Sequence, residues 1–451
     1  MKTRIYIIGL AITLLMSCSK FLDEKPNVKL LVPVKINDLQ GLLDDLEVLN
    51  QQEPAPTEVA ADDYRLSEAN WKTLDEFNRN LYVWAPAQNF VTGAGSAWTL
   101  YYTQIYKANV VLNDIDNMHD TQSNPIEAAN VAGQALFTRS RSFFNALQVW
   151  ALNYNEVTAA TDLGVPLRLN VDFDEPTKRA TVAESYSQVV NDLTKAVHLL
   201  PVTPLHVIRP SKPAACGLLA RVFLSMNKVD SCLKYTQLAL SLKNELMDYN
   251  GDVGINATAN FPFLRFNKEV VFDSYMPHPA AVSKGEIAPE LYEMYETNDL
   301  RRNLYHRSAS TIGYFKGTYA GSNPMFNGIA TNELYLMKAE CLIRSGEVQQ
   351  GLNTLNDLLR KRYKNDGSFA PKATTNPETA LTIVLSERRK ELVFRGLRWM
   401  DIKRLNAIGR NIYLKRTLGT SQYTLNANDL RFALAIPEDI IVNTNIPQNR
   451  R

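Results

Sequence analysis

LLARVFLSMNKVDSCLKYTQLAL, residues 218–240, shares one pattern with MKAECLIRSGEVQQGLNTLNDLL, residues 337–359. Each stretch predicts a helix, a short turn at Asn227 or Gly346, and a second helix with a small residue where the pair crosses. The residues that correspond at one constant offset are Ala220 and Ala339, Phe223 and Leu342, Leu224 and Ile343, Asn227 and Gly346, Cys232 and Gly351, Leu233 and Leu352, and Ala239 and Leu358. In tetratricopeptide proteins such small residues allow close packing, and neighbouring pairs share a core. The sequence therefore predicts a mostly α fold with a scaffold of helical pairs.

Other segments extend this scaffold. Residues 98–115 and 136–150 place apolar side chains at three- and four-residue steps, so each predicts an amphipathic helix. A further helix is predicted to begin at Thr181, because Glu184 stands three residues later and completes a capping box. Residues 379–405 also predict helices of the same scaffold.

Two long segments do not fit helical pairs. Residues 53–92 and 251–327 are rich in proline, glycine, asparagine and aromatic residues. Long insertions on a rigid scaffold are where binding residues are usually found. We therefore expect the ligand site to lie in these two segments.

Composition excludes several classes of protein. The 451 residues carry a formal net charge of +2, which provides no general attraction for nucleic acid or for an anionic membrane. Four cysteines are too few for a disulfide framework in a chain of this length. Cys216, Cys232 and Cys341 fall in predicted helices, and we interpret them as buried thiols.

The N-terminus predicts export. Lys2 and Arg4 precede an apolar run from Ile5 to Met16, which is too short to span a bilayer but suits a secretory signal. Leu15-Met16-Ser17-Cys18 resembles a bacterial lipobox. The resemblance implies a signal peptide at residues 1–17 and a mature chain that begins at a lipid-bearing Cys18, where several acyl chains would form a lasting anchor. Asp23-Glu24 resembles the acidic tags of cell-surface lipoproteins.

No catalytic or metal-binding motif is present. The five histidines include no HExxH pair, and no GxSxG elbow occurs. Asp172, Asp174 and Glu175 could offer oxygens to Ca²⁺, but we interpret them as a solvated loop, so no cofactor is predicted. Glu387 and Glu391 could suggest a glycosidase pair.

The charged segment that contains Glu387 and Glu391 fits another interpretation better. On a helix, Glu391 would meet Arg395 and Arg398 would meet Asp401, which predicts weak ion pairs on a helix surface. We therefore predict no catalytic residue.

This segment, ERRKELVFRGLRWMDIKRL at residues 387–405, also resembles the C-terminal signature of the SusD/RagB family. Arg395 departs from that signature, in which an acidic residue is usual. The other elements similar to the family are Ile436-Pro437 and Gln448-Asn449 near the end, Cys18 with Phe21-Leu22-Asp23 and Pro26 at the start, Trp98, Tyr102, Ile105 and Asn109 in the first helix, and LGVPL at residues 163–167. The family's usual Gly-Tyr end is replaced by Arg450-Arg451. The resemblance covers essentially the whole chain.

The resemblance implies both a fold and a role. The fold is a right-handed scaffold of four tetratricopeptide-like pairs in a single SusD-like domain at residues 18–451, with an N-terminal part at about 18–230 and a C-terminal part at about 231–451. The role is that of a non-catalytic lipoprotein of the outer membrane, anchored by lipid and exposed at the cell surface. Such proteins capture a nutrient, usually an oligosaccharide, and cover a SusC-like TonB-dependent transporter.

Sugars stack their C–H faces on aromatic rings, while Asn, Asp and Arg side chains bind the hydroxyls. We therefore predict ligand contacts from the polar and aromatic residues of the two insertions. These candidates are Asp62, Asp63, Tyr64, Arg65, Trp71, Tyr82, Trp84, Tyr275, His278, Tyr314 and Tyr319. Trp98 and Trp399 lie in helical motifs and are predicted to be core.

Three alternative functions are compatible with the same sequence. The same architecture could capture peptides, because aromatic residues in loops do not distinguish a peptide from a glycan. The chain could be a surface glycosidase, although it lacks a convincing acid/base pair. It could also be a purely structural surface lipoprotein, which would bind neither glycan nor peptide.

Overall fold

The computed structural model of the protein describes residues 33–86, 93, 95–307 and 315–451. The predictions at Cys18 and Tyr314 lie outside these residues. The helices are α1 (Ile36–Leu43), α2 (Pro56–Ala60), α3 (Glu68–Lys72), α4 (Glu76–Tyr82), α5 (Ala97–Asp114), α6 (Pro125–Trp150), α7 (Val182–Leu199), α8 (Lys212–Ser225), α9 (Val229–Leu242), α10 (Ala280–Ser283), α11 (Pro289–Tyr292), α12 (Arg301–Tyr305), α13 (Thr331–Arg344), α14 (Val348–Leu359), α15 (Pro377–Glu391), α16 (Arg398–Asn406) and α17 (Glu438–Thr444). The strands are β1 (Tyr64–Arg65), β2 (Leu163–Pro166), β3 (Arg179–Thr181), β4 (Val270–Phe272), β5 (Tyr275–Met276), β6 (Glu286–Ile287), β7 (Met325–Phe326), β8 (Ile329–Ala330), β9 (Leu414–Leu418) and β10 (Ser421–Leu425).

The long helices form the predicted scaffold of consecutive pairs. Helix α6 packs between α5 and α7, α8 packs between α7 and α9, and α13 packs on α9, α14 and α15. Each helix buries one apolar face in the shared core, as a tetratricopeptide-like array requires. The prediction of a mostly α, tetratricopeptide-like fold is confirmed. Among the described helices, none combines the length and the apolar content that crossing a bilayer would need.

The internal repeat occupies two equivalent helical pairs. The turn between α8 and α9 contains Asn227 at φ 58°, and the turn between α13 and α14 contains Gly346 at φ 91°. Both residues adopt the left-handed conformation, which Gly and Asn tolerate best. At Gly351 an added Cβ would lie 2.5 Å from Ile343 Cγ1, so α13 and α14 approach closely because this position lacks a side chain. The small residue at this position of the repeat therefore allows the two helices to pack closely, as predicted.

Other local predictions are also confirmed. The Thr181 hydroxyl accepts the Glu184 N–H at 3.1 Å, and the Glu184 carboxylate accepts the Thr181 N–H at 2.8 Å, which completes the capping box of α7. Cys216, Cys232 and Cys341 are free thiols buried in helices.

The two insertions contain short elements that pair with each other. Strand β1 of the first insertion pairs antiparallel with β6 of the second, with Tyr64 opposite Ile287. Strands β4 and β5 of the second insertion pair with β8 and β7. The insertions are thus joined by backbone hydrogen bonds into one unit beside the helical scaffold.

The charged segment at residues 387–405 corrects the prediction of a surface helix. Helix α15 ends at Glu391, and Phe394 at φ 57° and Gly396 at φ 73° form a turn before α16. The predicted Arg398–Asp401 pair is wrong. Arg398 Nε donates to Asp62 Oδ1 at 2.7 Å, whereas the Asp401 carboxylate accepts Arg388 Nε at 2.8 Å and Arg404 Nε at 2.7 Å, so each residue has other partners.

Glu391 likewise lies in a buried ionic cluster rather than in a surface pair. The Arg301 side chain is fully buried and contacts Asp299 at 2.7 Å, Glu387 at 2.6 Å and Glu391 at 3.0 Å. Arg362 contacts the other oxygen of Glu391 at 2.8 Å. Burial opposes ionisation of Glu391, but the Arg362 and Arg301 guanidiniums outweigh it and lower its pKa to about 2. These contacts attach the second insertion to α15.

Candidate functional site

A cleft of about 280 Å³ lies where the two insertions meet the turn between α15 and α16. It is lined by Tyr64, His278, Val282, Ser283, Gly285, Glu286, Ile287, Arg307, Phe315, Asn323 and Phe394. Both predicted insertions therefore contribute to one concave surface, together with a part of the C-terminal signature.

Close backbone packing builds one wall of this cleft. The β1–β6 pair places Tyr64 against Gly285, where an added Cβ would lie 2.5 Å from the Tyr64 ring. The Tyr64 hydroxyl donates to the Val59 carbonyl at 2.8 Å, so the ring is fixed. Glycine at position 285 is therefore required for this wall.

Two phenylalanines form the opposite, apolar part of the cleft. The rings of Phe315 and Phe394 are tilted at 58°, with centroids 5.0 Å apart. Phe394 holds the left-handed conformation of the α15–α16 turn, and Oε2 of the Glu58 carboxyl group accepts the Gly396 N–H at 2.7 Å in the same turn. The hydrogen bond from Gly396 to Glu58 thus fixes the turn against the first insertion, and the buried Phe394 ring forms part of the cleft wall.

The polar groups of the cleft suit a ligand rich in hydroxyls. His278 is half-buried, burial lowers its pKa, and its Nδ1 has no hydrogen-bond partner among the described residues. A neutral imidazole can both donate and accept hydrogen bonds. At the rim, Arg65 and Glu286 form a half-exposed pair at 3.5 Å. Aromatic walls with a few polar groups are typical of sugar sites.

Asp62 and Asp63 stabilise the first insertion from behind the cleft instead of lining it. The Asp62 carboxylate forms an ion pair with Arg398. Asp63 Oδ1 accepts a hydrogen bond from Arg389 Nε at 2.9 Å. Burial opposes ionisation of Asp62, yet Arg398 and Arg389 outweigh it and hold its pKa well below the usual range. The predicted ligand contacts at Asp62 and Asp63 are thus occupied by ion pairs.

Several other predicted contacts belong to the core. Trp84 is 1% exposed, and its Nε1 donates to the Ala60 carbonyl at 3.0 Å. The Arg416 guanidinium lies between the rings of Tyr64, Tyr82 and Trp84, 3.6 Å from the Tyr82 centroid. Trp84 and Tyr82 are each 1% exposed and so offer no open face to a ligand, and Tyr64, at 3%, contributes a buried ring to the cleft wall.

Tyr319 is also buried, and its hydroxyl donates to Glu269 Oε2 at 2.6 Å. Arg395, the residue that departs from the family signature, stacks over the Tyr319 ring at 4.2 Å. Trp71 and Tyr275 are half-buried outside the cleft. Trp71 Nε1 donates to the Arg79 carbonyl at 3.1 Å, and the Tyr275 ring lies 5.0 Å from the guanidinium of Arg265. The predicted core positions of Trp98 and Trp399 are confirmed.

The structure thus brings together Tyr64 and His278, with Arg65 at the rim. The cleft residues that were not predicted from the sequence are Val282, Ser283, Gly285, Glu286, Ile287, Arg307, Phe315, Asn323 and Phe394. A signal for Phe394 was present, because Gly396 interrupts the helical pattern and a glycine there favours a turn.

Neither Glu387 nor Glu391 is available for acid/base chemistry, because both bind the buried Arg301. No group of three or more His, Cys, Asp or Glu side chains in the described part of the chain is arranged to hold a metal ion. The cleft therefore offers contacts for binding, built from rings, an imidazole and a rim ion pair.

Comparison with known proteins gives one family for both halves of the chain. A family model described as starch-binding and associating with the outer membrane matches residues 20–224, and the SusD family model matches residues 288–439. SusD-like protein P38 of Formosa agariphila is 23% identical over 425 residues, which cover 77% of this chain and 78% of that protein.

Solved structures share the fold over nearly the whole chain. A SusD superfamily protein from Bacteroides thetaiotaomicron superposes with a TM-score of 0.72 at 20% identity, over 93% of this chain and all of that one. A laminarin binding SusD-like protein gives a TM-score of 0.65 at 17% identity, over 92% of this chain and 98% of that one. With both family models matched in order along one scaffold, the chain belongs to the SusD/RagB family, which is associated with the outer membrane.

Proposed function

We propose that this protein captures an oligosaccharide at the cleft between its two insertions and passes it, chemically unchanged, to a SusC-like TonB-dependent transporter. The observation that carries this proposal is the cleft itself, which is lined by the partly exposed ring of Phe315 and by a neutral His278, beside a wall that contains the buried rings of Tyr64 and Phe394. The Phe315 ring can stack on the C–H face of a sugar, and an imidazole without an internal partner can bind a hydroxyl. The starch-binding description of the family and the laminarin binding relative support this class of ligand.

The test is binding of a glycan panel by purified residues 18–451. The panel contains soluble starch, laminarin, xylan and mannan, with unstructured peptides as the alternative ligand. His278→Ala and Phe315→Ala should each weaken binding of the recognised glycan by about tenfold or more, because each removes a contact at the centre of the cleft.

Tyr413→Ala is the matched control, since this aromatic residue is 64% exposed and lies outside the cleft. Unchanged affinity in both cleft variants would refute the site. Binding of peptides but of no glycan would favour the peptide alternative, and production of reducing ends would refute the non-catalytic role.

The proposal includes a lipid anchor at Cys18 and exposure at the cell surface. It is supported by the charged start, the apolar run and the lipobox of the sequence. Cys18→Ser should leave a folded protein that binds glycan but no longer sediments with outer membranes, because the acyl chains supply the membrane affinity. Membrane fractionation of cells that express each form measures this, and a variant that still sediments would place the anchor elsewhere.

A further inference from the structure

We propose that the protein has a second carbohydrate site, specific for neutral sugars, on the helical scaffold and separate from the cleft between the insertions. It is a pocket of about 220 Å³ between α5, the loop at residues 168–177 and α17. Its lining residues are Trp98, Tyr102, Ile105, Tyr106, Asn109, Arg168, Asn170, Val171, Asp172, Phe173, Thr177, Ile440 and Thr444. The inference rests on the proposed function only for the class of ligand.

An exposed aromatic pair forms the entrance of this pocket. Phe173 is 77% exposed and Tyr106 is 37% exposed, and their ring centroids are 5.0 Å apart. Deeper in the pocket, Trp98 and Tyr102 stack at 4.8 Å with an interplanar angle of 24°. The two neighbouring rings at the entrance therefore present an apolar surface on which the C–H face of a sugar can stack.

The loop that carries Phe173 is fixed before any ligand binds. Asn109 Nδ2 donates to the carbonyls of Arg168 at 2.9 Å and of Asn170 at 3.1 Å. The Arg168 guanidinium in turn donates to the carbonyls of Glu175, at 2.5 Å, and of Asp172. A loop that is ordered in advance loses little entropy on binding, which favours affinity.

Polar groups lie beside the rings. Tyr106 and Thr177 both line the pocket, and their hydroxyls can donate and accept hydrogen bonds. Asp172 uses Oδ1 to accept the Asp174 N–H at 2.8 Å, which leaves Oδ2 for a ligand. Two hydroxyls and a carboxylate oxygen next to stacked rings are the groups that a sugar ring needs.

The negative charge at the rim of the pocket favours neutral sugars over anionic ones. Asp172, Asp174 and Glu175 are exposed, whereas Arg168 directs its guanidinium to the carbonyls of its own loop. An anionic glycan would meet the Asp172 carboxylate in the pocket and the Asp174 and Glu175 carboxylates on the same loop, so uronates and sulfated sugars are disfavoured. Because the cavity is smaller than the roughly 300–1,000 Å³ of drug-sized sites, it suits one or two sugar units. Two separate sites on one chain would raise affinity for a long polysaccharide through multivalency.

Stoichiometry tests the second site. Calorimetric titration of residues 18–451 with the heptasaccharide of the glycan that binds in the panel, such as maltoheptaose for starch or laminariheptaose for laminarin, should give two sites per chain. Phe173→Ala and Thr177→Val should each remove or weaken one site by about tenfold, His278→Ala should remove the other, and the Phe173/His278 double variant should remove both. Tyr413→Ala is the control for an exposed aromatic residue outside both pockets.

The outcomes separate the two proposals. One site per chain, lost in His278→Ala and unchanged in Phe173→Ala, overturns the second site alone. One site lost only in Phe173→Ala overturns the cleft and supports the pocket. If no glycan of the panel binds the wild-type protein, both proposals fail. Binding of oligogalacturonate that Phe173→Ala abolishes would overturn the preference for neutral sugars.

Discussion

A single buried carboxyl, Glu58, connects the first insertion with the turn that presents Phe394. It is 1% exposed, its Oε2 accepts the Gly396 N–H at 2.7 Å, and its Oε1 has no partner among the described residues. Burial, followed by the nearby Asp63, raises its pKa to about 8 from an ordinary 4.5. The carboxyl is therefore neutral at neutral pH, although it lies beside the paired Asp62 and Asp63.

This raised pKa predicts a pH-dependent stability. The folded state holds the Glu58 proton more tightly than the unfolded state, so its contribution is complete below about pH 4.5 and is lost as the pH rises to about 8. Glu58→Gln stays neutral, and the free energy of unfolding of the wild type should fall relative to that of the variant between these pH values, by about 1–4 kcal/mol. Urea denaturation at pH 5 and pH 8 measures the difference.

Glu58→Ala distinguishes the effect of the Glu58 proton on stability from the effect of the hydrogen bond to Gly396. It removes the acceptor of the Gly396 N–H, so it should lower the free energy of unfolding at both pH values. A Glu58→Gln protein with the same pH slope as the wild type would show that Glu58 is ionised in the folded state at pH 7.

At the scale of elements, the close approach of α13 and α14 depends on Gly351. An added Cβ would meet Ile343 Cγ1 at 2.5 Å and the Ala339 carbonyl at 2.8 Å. Gly351→Ala should therefore lower the free energy of unfolding by about 1–3 kcal/mol, because the helices must separate or rotamers must change. Thermal and urea unfolding measure the loss.

Gly41→Ala is the matched control in α1. It is exposed, and its added Cβ would meet nothing within 4 Å. Only the higher helix propensity of alanine then matters, so the free energy of unfolding of this variant should rise by up to about 1 kcal/mol. A Gly351→Ala protein that is as stable as Gly41→Ala would refute the close-packing explanation of the repeat.

The difference between these elements and the cleft explains what the sequence could predict. The repeat and the α7 cap depend on spacings within one or two helices, so local pattern identified them. Arg301 and Glu391 are 90 residues apart in sequence, and nothing local pairs them. The same holds for Tyr64 and His278, which were chosen only because they lie in the insertions, whereas Trp84 satisfied the same criterion and is core. Composition locates an insertion, but only the tertiary fold determines which face of a ring is covered.

At the scale of the whole molecule, the parts matched by the two family models are held together by buried polar contacts. Arg221 of α8 donates to Glu333 of α13, with contacts at 2.9 and 2.6 Å. Lys403 of α16 donates to the Ala151 carbonyl, just after α6, at 2.7 Å. Each contact has one partner before residue 231 and one after it. Separating the parts would leave buried charges uncompensated, which is costly.

The chain should therefore unfold as one cooperative unit, as the predicted single domain at residues 18–451 requires. In scanning calorimetry the calorimetric and van't Hoff enthalpies should agree within a single transition, because neither part completes its core alone. An isolated fragment of residues 18–230 should lack a cooperative transition, since it would expose the face of α8 that packs against β8 and α13. Two resolved transitions in the full chain, or protected amides throughout the fragment, would show instead that the two parts are independent domains whose contacts form only after each has folded.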